Sequence, residues 1–351
     1  MPTNQELDGA QVRELRKVRG WTLEKRAGKR KAYGAALPKP HFKTARGAAY
    51  CGKAEGLLPA LPDESVNLIF TSPPYALHFK KDYGNVDQDK YVDWFLGFAS
   101  EFRRVLKPDG SLVINIGGSW RPGHPVRALC HFEVLIRLVR EHGFHLAQEF
   151  FWHNPAKLPA PAEWVTVRRI RVKDSVEALW WLSKSTQPKA DNRKVLTAYS
   201  EDMKRLLKRG YRAKERPSGH KITHKFTEQG GAIPPNLLTL GNNDANGYYL
   251  MRCAEEKIKP HPARFPIQLP EFFIKFLTEA GDLVLDPFAG SCTTGEAAER
   301  LGRRWIGFEP VPDYLDGARF RFERGDVEPE SLSSVVNASN SRAPHRQIAL
   351  L

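Results

Sequence analysis

The chain of 351 residues has few cysteines and no long apolar run. The spacing of Cys51, Cys130, Cys253 and Cys292 matches neither a zinc motif nor a disulfide framework. No apolar stretch approaches the length of a membrane span, and the N-terminus has no apolar signal-peptide core. We therefore expect reduced thiols, no bound metal, no membrane partner and a cytoplasmic location.

Positive charge is in excess and is unevenly distributed. The chain has 54 Lys and Arg against 40 Asp and Glu, a net charge of +14. Residues 1–48 carry +8, residues 155–260 carry +10, and the remainder carries −4. Clustered basic residues are typical of phosphate binding, so both segments are candidates for contact with nucleic acid. For residues 1–48 an ordinary solvated basic surface is the alternative.

A proline loop follows the apolar run at residues 66–70, which is typical of a buried strand. Pro73 and Pro74 cannot continue a strand or a helix, so the chain is predicted to leave the sheet at Ser72. Prolines lack the N–H group but keep the carbonyl, so the loop is rich in acceptors. Ser72 and the carbonyl of Pro73 suit the two hydrogens of an exocyclic base amine, and Tyr75 can stack on its ring. A structural proline turn is the alternative.

A second strand and turn lie near the C-terminus. Residues 282–285 are strand-like, and residues 286–295 form a turn of small residues before a helical run. The start of a helix presents free N–H groups and can hold a carboxylate or phosphate. The next apolar run ends in Glu309, 19 residues after Gly290, a spacing at which acidic residues receive ribose hydroxyls. An ordinary turn with a solvated glutamate is the alternative.

These two patterns, with further motifs, resemble the amino-methyltransferases of bacterial DNA. The motifs are residues 71–77, 91–96, 106–110, 154–159, 170–174 and 261–266. The resemblance extends from about Tyr50 to Phe322. It implies an α/β fold with a doubly wound, mostly parallel Rossmann-like methyltransferase sheet. The sheet would be circularly permuted, with the catalytic motif before the cofactor motif, and would carry an inserted target-recognition region.

The resemblance also implies the cofactor and its site. Ser72, Pro73, Pro74 and Tyr75 would be the catalytic tetrad, and S-adenosyl-L-methionine would be the methyl donor. The implied cofactor residues are Asp286, Phe288 and Gly290 in the turn, Ser291, Thr293 and Thr294 near the methionine carboxylate, Glu309 at the ribose, and Phe265 in the upstream motif. Two residues depart from the family pattern. Cys292 replaces a common glycine, and Lys53 replaces a common aspartate that bonds the cofactor adenine.

The implied reaction is direct transfer of a methyl group to a base amine. Acceptors on both amine hydrogens would favour a nucleophilic nitrogen, and the base would be rotated out of the duplex. No cysteine follows a proline, so a covalent cysteine mechanism is not predicted. A serine in the tetrad is associated mainly with cytosine N4, whereas an aspartate is commoner for adenine N6. Adenine N6 as the target, RNA as the substrate, and an inactive nucleic-acid-binding protein of this fold are the alternatives.

The expected biological setting is a restriction-modification system in bacteria. The predicted partner is double-stranded DNA, together with a functionally paired restriction endonuclease that makes no direct contact. Candidates for contact with bases or phosphates are Lys157, Arg168, Arg171, Arg193, Lys194, Arg216, His220 and Lys221.

The patterns divide the chain into five segments. We predict a basic arm at 1–48 with a short helix over 11–24, a catalytic half at 49–154, a target-recognition region at 155–260, a cofactor-binding half at 261–325, and a disordered tail at 326–351. Local predictions are a helix over 91–106 ended by Pro108, Asp109 and Gly110, strands over 111–116, 168–173 and 176–182, and a helix over 269–278. The tryptophans of strand 176–182 are assigned to the core or to a pocket wall.

Overall fold

Nine strands form one sheet in the computed structural model, which describes residues 36–76, 86–209, 230–242 and 247–323. The strands are β1 (Phe42–Lys43), β2 (Gly47–Cys51), β3 (Val66–Thr71), β4 (Leu106–Ile116), β5 (His145–His153), β6 (Val176–Ser183), β7 (Leu237–Thr239), β8 (Leu283–Asp286) and β9 (Arg304–Glu309). Their order across the sheet is β1-β2-β9-β8-β3-β4-β6-β5-β7.

Nine α-helices accompany these strands in the same described ranges. They are α1 (Ala54–Leu57), α2 (Gln88–Leu96), α3 (Ala99–Val105), α4 (Cys130–Arg140), α5 (Glu201–Arg209), α6 (Gly247–Glu255), α7 (Gln268–Leu277), α8 (Thr293–Arg300) and α9 (Pro312–Ala318). Shorter helical turns occur at Leu58–Ala60, Glu163–Val167, Asn192–Val195 and Arg319–Phe322. None of the helices in this part of the chain is both long and apolar enough to cross a membrane.

Most neighbouring strands run in the same direction. Strands β2, β9, β8, β3 and β4 form a continuous parallel run, whereas β6 is antiparallel to both β4 and β5. At the edges, β1 is antiparallel to β2 and β7 is parallel to β5. The predicted mostly parallel α/β sheet is confirmed.

The two predicted motifs meet at the centre of this sheet. Strand β3 pairs with β8, so that Leu68 lies opposite Val284 and Ile69 opposite Leu285. From β8 the chain continues to β9 on one side, and from β3 it continues to β4 on the other. Doubly wound sheets bind ligands beyond the carboxyl ends of strands at such a reversal. The site is therefore expected where β3 and β8 end.

Helices cover both faces of the sheet because the buried strands are apolar on both sides. On one face, Phe95 of α2 and Phe102 of α3 belong to the same buried cluster as Ile69 of β3. On the other face, Phe273 of α7 clusters with Phe70 of β3. Two separate cores thus hold β3 in place, and the carboxyl end of β3 carries the proline loop.

The single helix predicted over residues 91–106 is wrong. The structure has α2 and α3 instead, because the N–H of Gly97 bonds the carbonyls of Asp93 and Trp94 and closes α2. The predicted strand over 111–116 is present but begins earlier, at Leu106. Between the pairs Val66–Leu106 and Leu68–Ser111 the register shifts, so residues 107–110 bulge within the strand and do not precede it.

The strand predicted over residues 168–173 is also wrong. This segment is irregular, with Ile170 exposed to 53% and Val172 to 86%. Strand β6, the next strand along the chain, is already paired on both edges, so it offers no place for another strand. Alternation of charged and apolar residues was not sufficient, because a strand also needs a partner.

Other predictions are confirmed within a residue or two. Strand β6 matches the prediction for 176–182, with Trp180 and Trp181 buried in the two cores, and α7 matches the prediction for 269–278. Strands β6 and β7 show that the segment 155–260 contributes to the central sheet. The five segment boundaries remain predictions.

Several predictions fall outside the described residues. They are the helix over 11–24, most of the basic arm, the tail at 326–351, and the candidates Arg216, His220 and Lys221. All four cysteines lie within the described ranges as free thiols. No group of His, Cys, Asp and Glu suited to hold a metal ion occurs among the residues described.

Candidate active site

A cavity of about 560 Å³ lies beyond the ends of β3 and β8. This volume falls within the range typical of small-molecule sites. Both predicted motifs contribute to its wall, with Ser72, Pro73, Pro74 and Tyr75 from the proline loop and Phe265, Phe288, Gly290, Ser291, Thr293 and Glu309 from the cofactor half. Two predicted cofactor residues, Asp286 and Thr294, are buried and do not line the cavity.

Asp286 joins three parts of the structure by hydrogen bonds. Its carboxylate accepts from the hydroxyl of Thr71 at 2.8 Å, from the hydroxyl of Thr294 at 2.7 Å and from the N–H of Phe288 at 3.1 Å. Burial raises the pKa of Asp286 to about 6, although the three donors oppose this shift. Asp286 therefore holds the turn, the start of α8 and the end of β3 together.

Glu309 lines the cavity at the end of β9. Its two carboxylate oxygens accept from the N–H of Gly290 at 3.1 Å and of Val311 at 3.0 Å. Burial raises the pKa of Glu309 to about 7, against these two bonds. Each carboxylate oxygen has further acceptor capacity, so the group suits the hydroxyl donors of a ribose.

The start of α8 forms another part of the wall. Ser291 and Thr293 lie side by side, with their hydroxyl oxygens 3.3 Å apart. The guanidinium of Arg321 donates to the hydroxyl of Ser291 at 3.0 Å and to the carboxylate of Glu296 at 2.9 Å. A helix N-terminus backed by a cation suits a carboxylate ligand.

The backbone of the turn is left-handed at two positions. Gly290 has φ of 51°, and a Cβ there would lie 3.0 Å from Cε1 of His261. Cys292 has φ of 56°, and its side chain is fully buried directly before α8. Its position is one where glycine would be unstrained, which explains the glycine common in the family.

Aromatic packing fixes the two phenylalanines predicted to contact the cofactor. Phe288 stands edge-on to Phe98 with ring centroids 5.3 Å apart. Phe265 stands edge-on to Phe70 of β3 at 5.7 Å. The carbonyl of Arg264, next to Phe265, accepts from the side-chain amide of Asn242 at 2.8 Å.

Lys53 also lines the cavity, immediately before α1. Its ammonium cannot accept a hydrogen bond, so it cannot replace the aspartate of relatives. Glu55, two residues further on, lines the same cavity and accepts from the indole N–H of Trp94 at 3.4 Å. A carboxylate is thus present in this wall, although not at the expected position.

Tyr75 is held by side chains from three separate segments. Its hydroxyl donates to Glu177 at 2.6 Å, and it receives bonds from Ser72 at 3.5 Å and from the amide of Asn115 at 3.4 Å. Burial and the neighbouring Glu177 carboxylate raise the pKa of Tyr75 well above its usual value. The phenol is therefore neutral throughout the physiological pH range.

Two further contacts shape the region around Tyr75. A Cβ on Gly117 would lie 2.5 Å from Cε2 of Tyr75, so the ring packs directly on this backbone. Lys157 pairs with Glu177, with its ammonium 2.7 Å from the carboxylate. The wall beside the proline loop thus combines an aromatic ring with a partly buried ion pair.

Comparison with known proteins identifies the family. Residues 66–320 match the family model described as DNA methylase. The chain belongs to this DNA methylase family.

Individual relatives are also similar over most of this DNA methylase. The Type II methyltransferase M.PvuII of Proteus hauseri is 50% identical over 303 residues, covering 85% of this chain and 90% of that protein. The Type II methyltransferase M.BglII of Bacillus subtilis is 26% identical over 322 residues, covering 88% of this chain and 76% of that protein. A solved structure named PvuII DNA methyltransferase (cytosine-N4-specific) matches with a TM-score of 0.69 and 46% identity, covering 84% of this chain and 92% of that chain.

The sequence predictions missed several residues of this DNA methylase site. Asn115 and Glu177 are single polar residues within the otherwise apolar runs 112–116 of β4 and 176–182 of β6, and this pattern was the available signal. Arg321 carries no comparable signal, because its role depends on the fold bringing it to Ser291.

Among the basic candidates of the DNA methylase, Lys157 lies in the cavity wall. Four others have partners elsewhere: Arg168 stacks on Trp164, Arg171 pairs with Asp174, Arg193 pairs with Asp191, and Lys194 pairs with Glu279.

Proposed function

We propose that this DNA methylase transfers a methyl group from S-adenosyl-L-methionine to the N4 amine of cytosine in double-stranded DNA. The observation that carries the proposal is the single cavity in which Ser72 and Tyr75 face the same space as Gly290 and Glu309. A base amine and a cofactor bound there would be close enough for direct transfer.

The cofactor half supplies groups that fit S-adenosyl-L-methionine. The Glu309 carboxylate would receive the ribose hydroxyls, and the start of α8 near Ser291 and Thr293 would receive the methionine carboxylate. Gly290 leaves room where a side chain would meet His261. Phe288 and Phe265 would contact the apolar parts, while Asp286 and Thr294 hold the turn from behind. When bound, this cofactor supplies an electrophilic methyl group on sulfur.

The proline loop supplies groups that fit the amine. The hydroxyl of Ser72 and the carbonyl of Pro73 would each accept one amine hydrogen, while Pro74 keeps the loop rigid. These acceptors stabilise positive charge as it develops on the nitrogen. Tyr75 would stack on the rotated base and offset part of the cost of unstacking, which is about a few kcal/mol.

Cytosine is favoured over adenine by two observations. The tetrad begins with Ser72, and a solved structure that is 46% identical to this chain is named cytosine-N4-specific. The Type II names of the relatives support a role in a restriction-modification system with a paired endonuclease. In such a role the protein would act in the cytoplasm, on chromosomal DNA. The basic segments at 1–48 and 155–260 would contact phosphates.

Nucleoside analysis tests this proposal. The protein is incubated with duplex DNA and methyl-labelled S-adenosyl-L-methionine, and the DNA is digested to nucleosides and separated. We expect the label in N4-methylcytosine. A label in N6-methyladenine would overturn the base assignment, and no label in any nucleoside would favour the inactive binding protein. Ser72→Ala, prepared identically, controls for contaminating methyltransferases.

A further inference from the structure

A chain of hydrogen bonds leads from the proline loop to the wall of the cavity. Ser72 donates to the Tyr75 hydroxyl at 3.5 Å, and Tyr75 donates to Glu177 at 2.6 Å. Each residue donates to the next one in this chain, and the last acceptor is the carboxylate of Glu177. The first bond is long, as catalytic hydrogen bonds often are before substrate binds.

The proposed reaction needs a destination for one proton. After methyl transfer the amine nitrogen carries a positive charge. It is bonded to the ring carbon, to the new methyl group and to two hydrogens. It must lose one hydrogen to become the neutral N4-methyl product. Ser72 would be in contact with that hydrogen, but a serine hydroxyl cannot keep an extra proton near neutral pH.

We propose that Glu177 is the final proton acceptor of a relay through Ser72 and Tyr75. The bond from nitrogen to the methyl carbon forms while the bond from carbon to sulfur breaks, and its electron pair stays on sulfur. The amine proton passes to the Ser72 oxygen, the Ser72 proton passes to the Tyr75 oxygen, and the Tyr75 proton passes to Glu177. Ser72 and Tyr75 end neutral, and the carboxylate has gained one proton. This inference rests on the function proposed above.

The surroundings of Tyr75 and Glu177 favour a proton path. Because burial and the Glu177 charge raise the pKa of Tyr75, the tyrosine transfers its proton only as it receives another. The Glu177 side chain retains 14% exposure, which permits release of the proton to water. Asn115 bonds the Tyr75 oxygen at 3.4 Å but, as an amide, cannot accept the proton. It is a positioning residue.

Few ionisable groups face Glu177 directly. Lys157 balances its charge at 2.7 Å, and Tyr75 approaches from the proline loop. The neighbouring strands place uncharged residues beside it, because Trp152 of β5 lies opposite in the register and Asn115 lies on β4. Asp174, upstream of β6, pairs with Arg127 and Arg171. The other titratable groups of the cavity wall are Lys53, Glu55, His261, Arg264 and Glu309.

Glu177→Gln separates a relay from a structural role. Glutamine keeps an oxygen that accepts from Tyr75, but it cannot take up a proton. We expect the single-turnover methylation rate to fall about 100-fold or more, the lower end of general-base effects, with cofactor and DNA binding unchanged. Tyr75→Phe breaks the same path while keeping the ring. The double variant should therefore be no slower than the slower single variant.

Two further variants, Glu149→Gln and Glu177→Asp, serve as controls. Glu149→Gln makes the same chemical change on an exposed residue of β5 and should leave the rate unchanged. Glu177→Asp keeps a carboxylate and should recover part of the rate lost in Glu177→Gln.

The outcomes distinguish the relay from the proposed function. A Glu177→Gln rate within about twofold of wild type, or losses that multiply in the double variant, would overturn the relay. A Glu177→Gln protein that is misfolded by circular dichroism leaves the decision to Tyr75→Phe and Glu177→Asp. Absence of N4-methylcytosine from the wild-type reaction would instead overturn the proposed function.

Discussion

The cofactor turn and the proline loop are held in place by different kinds of contact. In the cofactor half, Asp286 bonds the N–H of Phe288 and Glu309 bonds the N–H of Val311, each two residues further along the chain. Tyr75 is instead held by Asn115 and Glu177, which are 40 and 102 residues away. The cofactor half thus combines carboxylate bonds to nearby backbone N–H groups with side-chain bonds such as that of Thr71 to Asp286, whereas Tyr75 is held by side chains alone.

Because of this difference, we expect the turn to govern cofactor binding and the loop to govern the chemical step. Buried carboxylates that hold backbone N–H groups set the shape of the cofactor turn before any ligand arrives. The proline loop provides rigidity by itself, but its tyrosine is oriented by side chains from β4 and β6. Changes in the turn should therefore alter cofactor affinity and stability, whereas changes in the loop should alter turnover.

The largest expected effect is on turnover in the proline loop. Ser72→Ala and Tyr75→Ala should lower the single-turnover rate by about 10²–10³-fold, because each removes a group that we propose contacts the reacting base. Cofactor affinity, measured by calorimetry, should change by less than about threefold, since neither residue belongs to the turn. An equal loss of cofactor affinity in Ser72→Ala would contradict its role as amine acceptor.

The next largest effect is expected at Asp286. Asp286→Ala leaves the buried hydroxyls of Thr71 and Thr294 without their acceptor, so the free energy of unfolding should fall by about 1–3 kcal/mol. Cofactor affinity should fall with it. Asp286→Asn keeps one acceptor oxygen and should be less severe. Chemical denaturation measures the stability of both variants. An Asp286→Ala protein that lost turnover but kept wild-type stability would contradict the difference between turn and loop.

Glu309 should make cofactor affinity depend on pH. Its pKa is raised from 4.5 to about 7, so the carboxylate that we propose as the ribose acceptor forms only as pH rises. Affinity should increase about tenfold from pH 6 to pH 8, as the ionised fraction does. Calorimetry with S-adenosylhomocysteine measures this, and Glu309→Gln should show no such change.

Stability should change with pH in the opposite direction. A raised folded-state pKa means that the contribution of Glu309 to stability is fully present below pH 4.5 and is lost as pH rises through about 7. The contribution of Asp286 to stability, with its pKa raised to about 6, is likewise lost as pH rises.

A wild-type affinity for S-adenosylhomocysteine that is constant between pH 6 and pH 8 would contradict the role of Glu309.

The smallest effect is expected at Cys292. Cys292→Gly removes the strain of a left-handed residue, and Cys292→Ala keeps that strain while losing the buried sulfur. The glycine variant should therefore be more stable than the alanine variant by about 1 kcal/mol in thermal or chemical unfolding. An alanine variant of equal or greater stability would show that the turn tolerates this backbone without strain.

Much of the fold was predictable because local sequence patterns indicate it. The apolar run of β3, the prolines after it, and the strand and small-residue turn around Asp286 each appear within about ten residues of sequence. One prediction failed because its outcome depended on a partner strand. The irregular segment 168–173 had the composition of a strand but no strand edge to pair with.

The sequence by itself determined the proline loop and the cofactor turn, because steric limits of proline and glycine and the periodicity of apolar residues act locally. Its motifs also carry the resemblance to the family. Only the tertiary structure decided which side chains complete the site. Glu177 and Asn115 meet Tyr75, and Arg321 meets Ser291, because strand pairing and helix packing bring distant segments together. Hydrogen bonds between such segments depend on distances that no local pattern encodes.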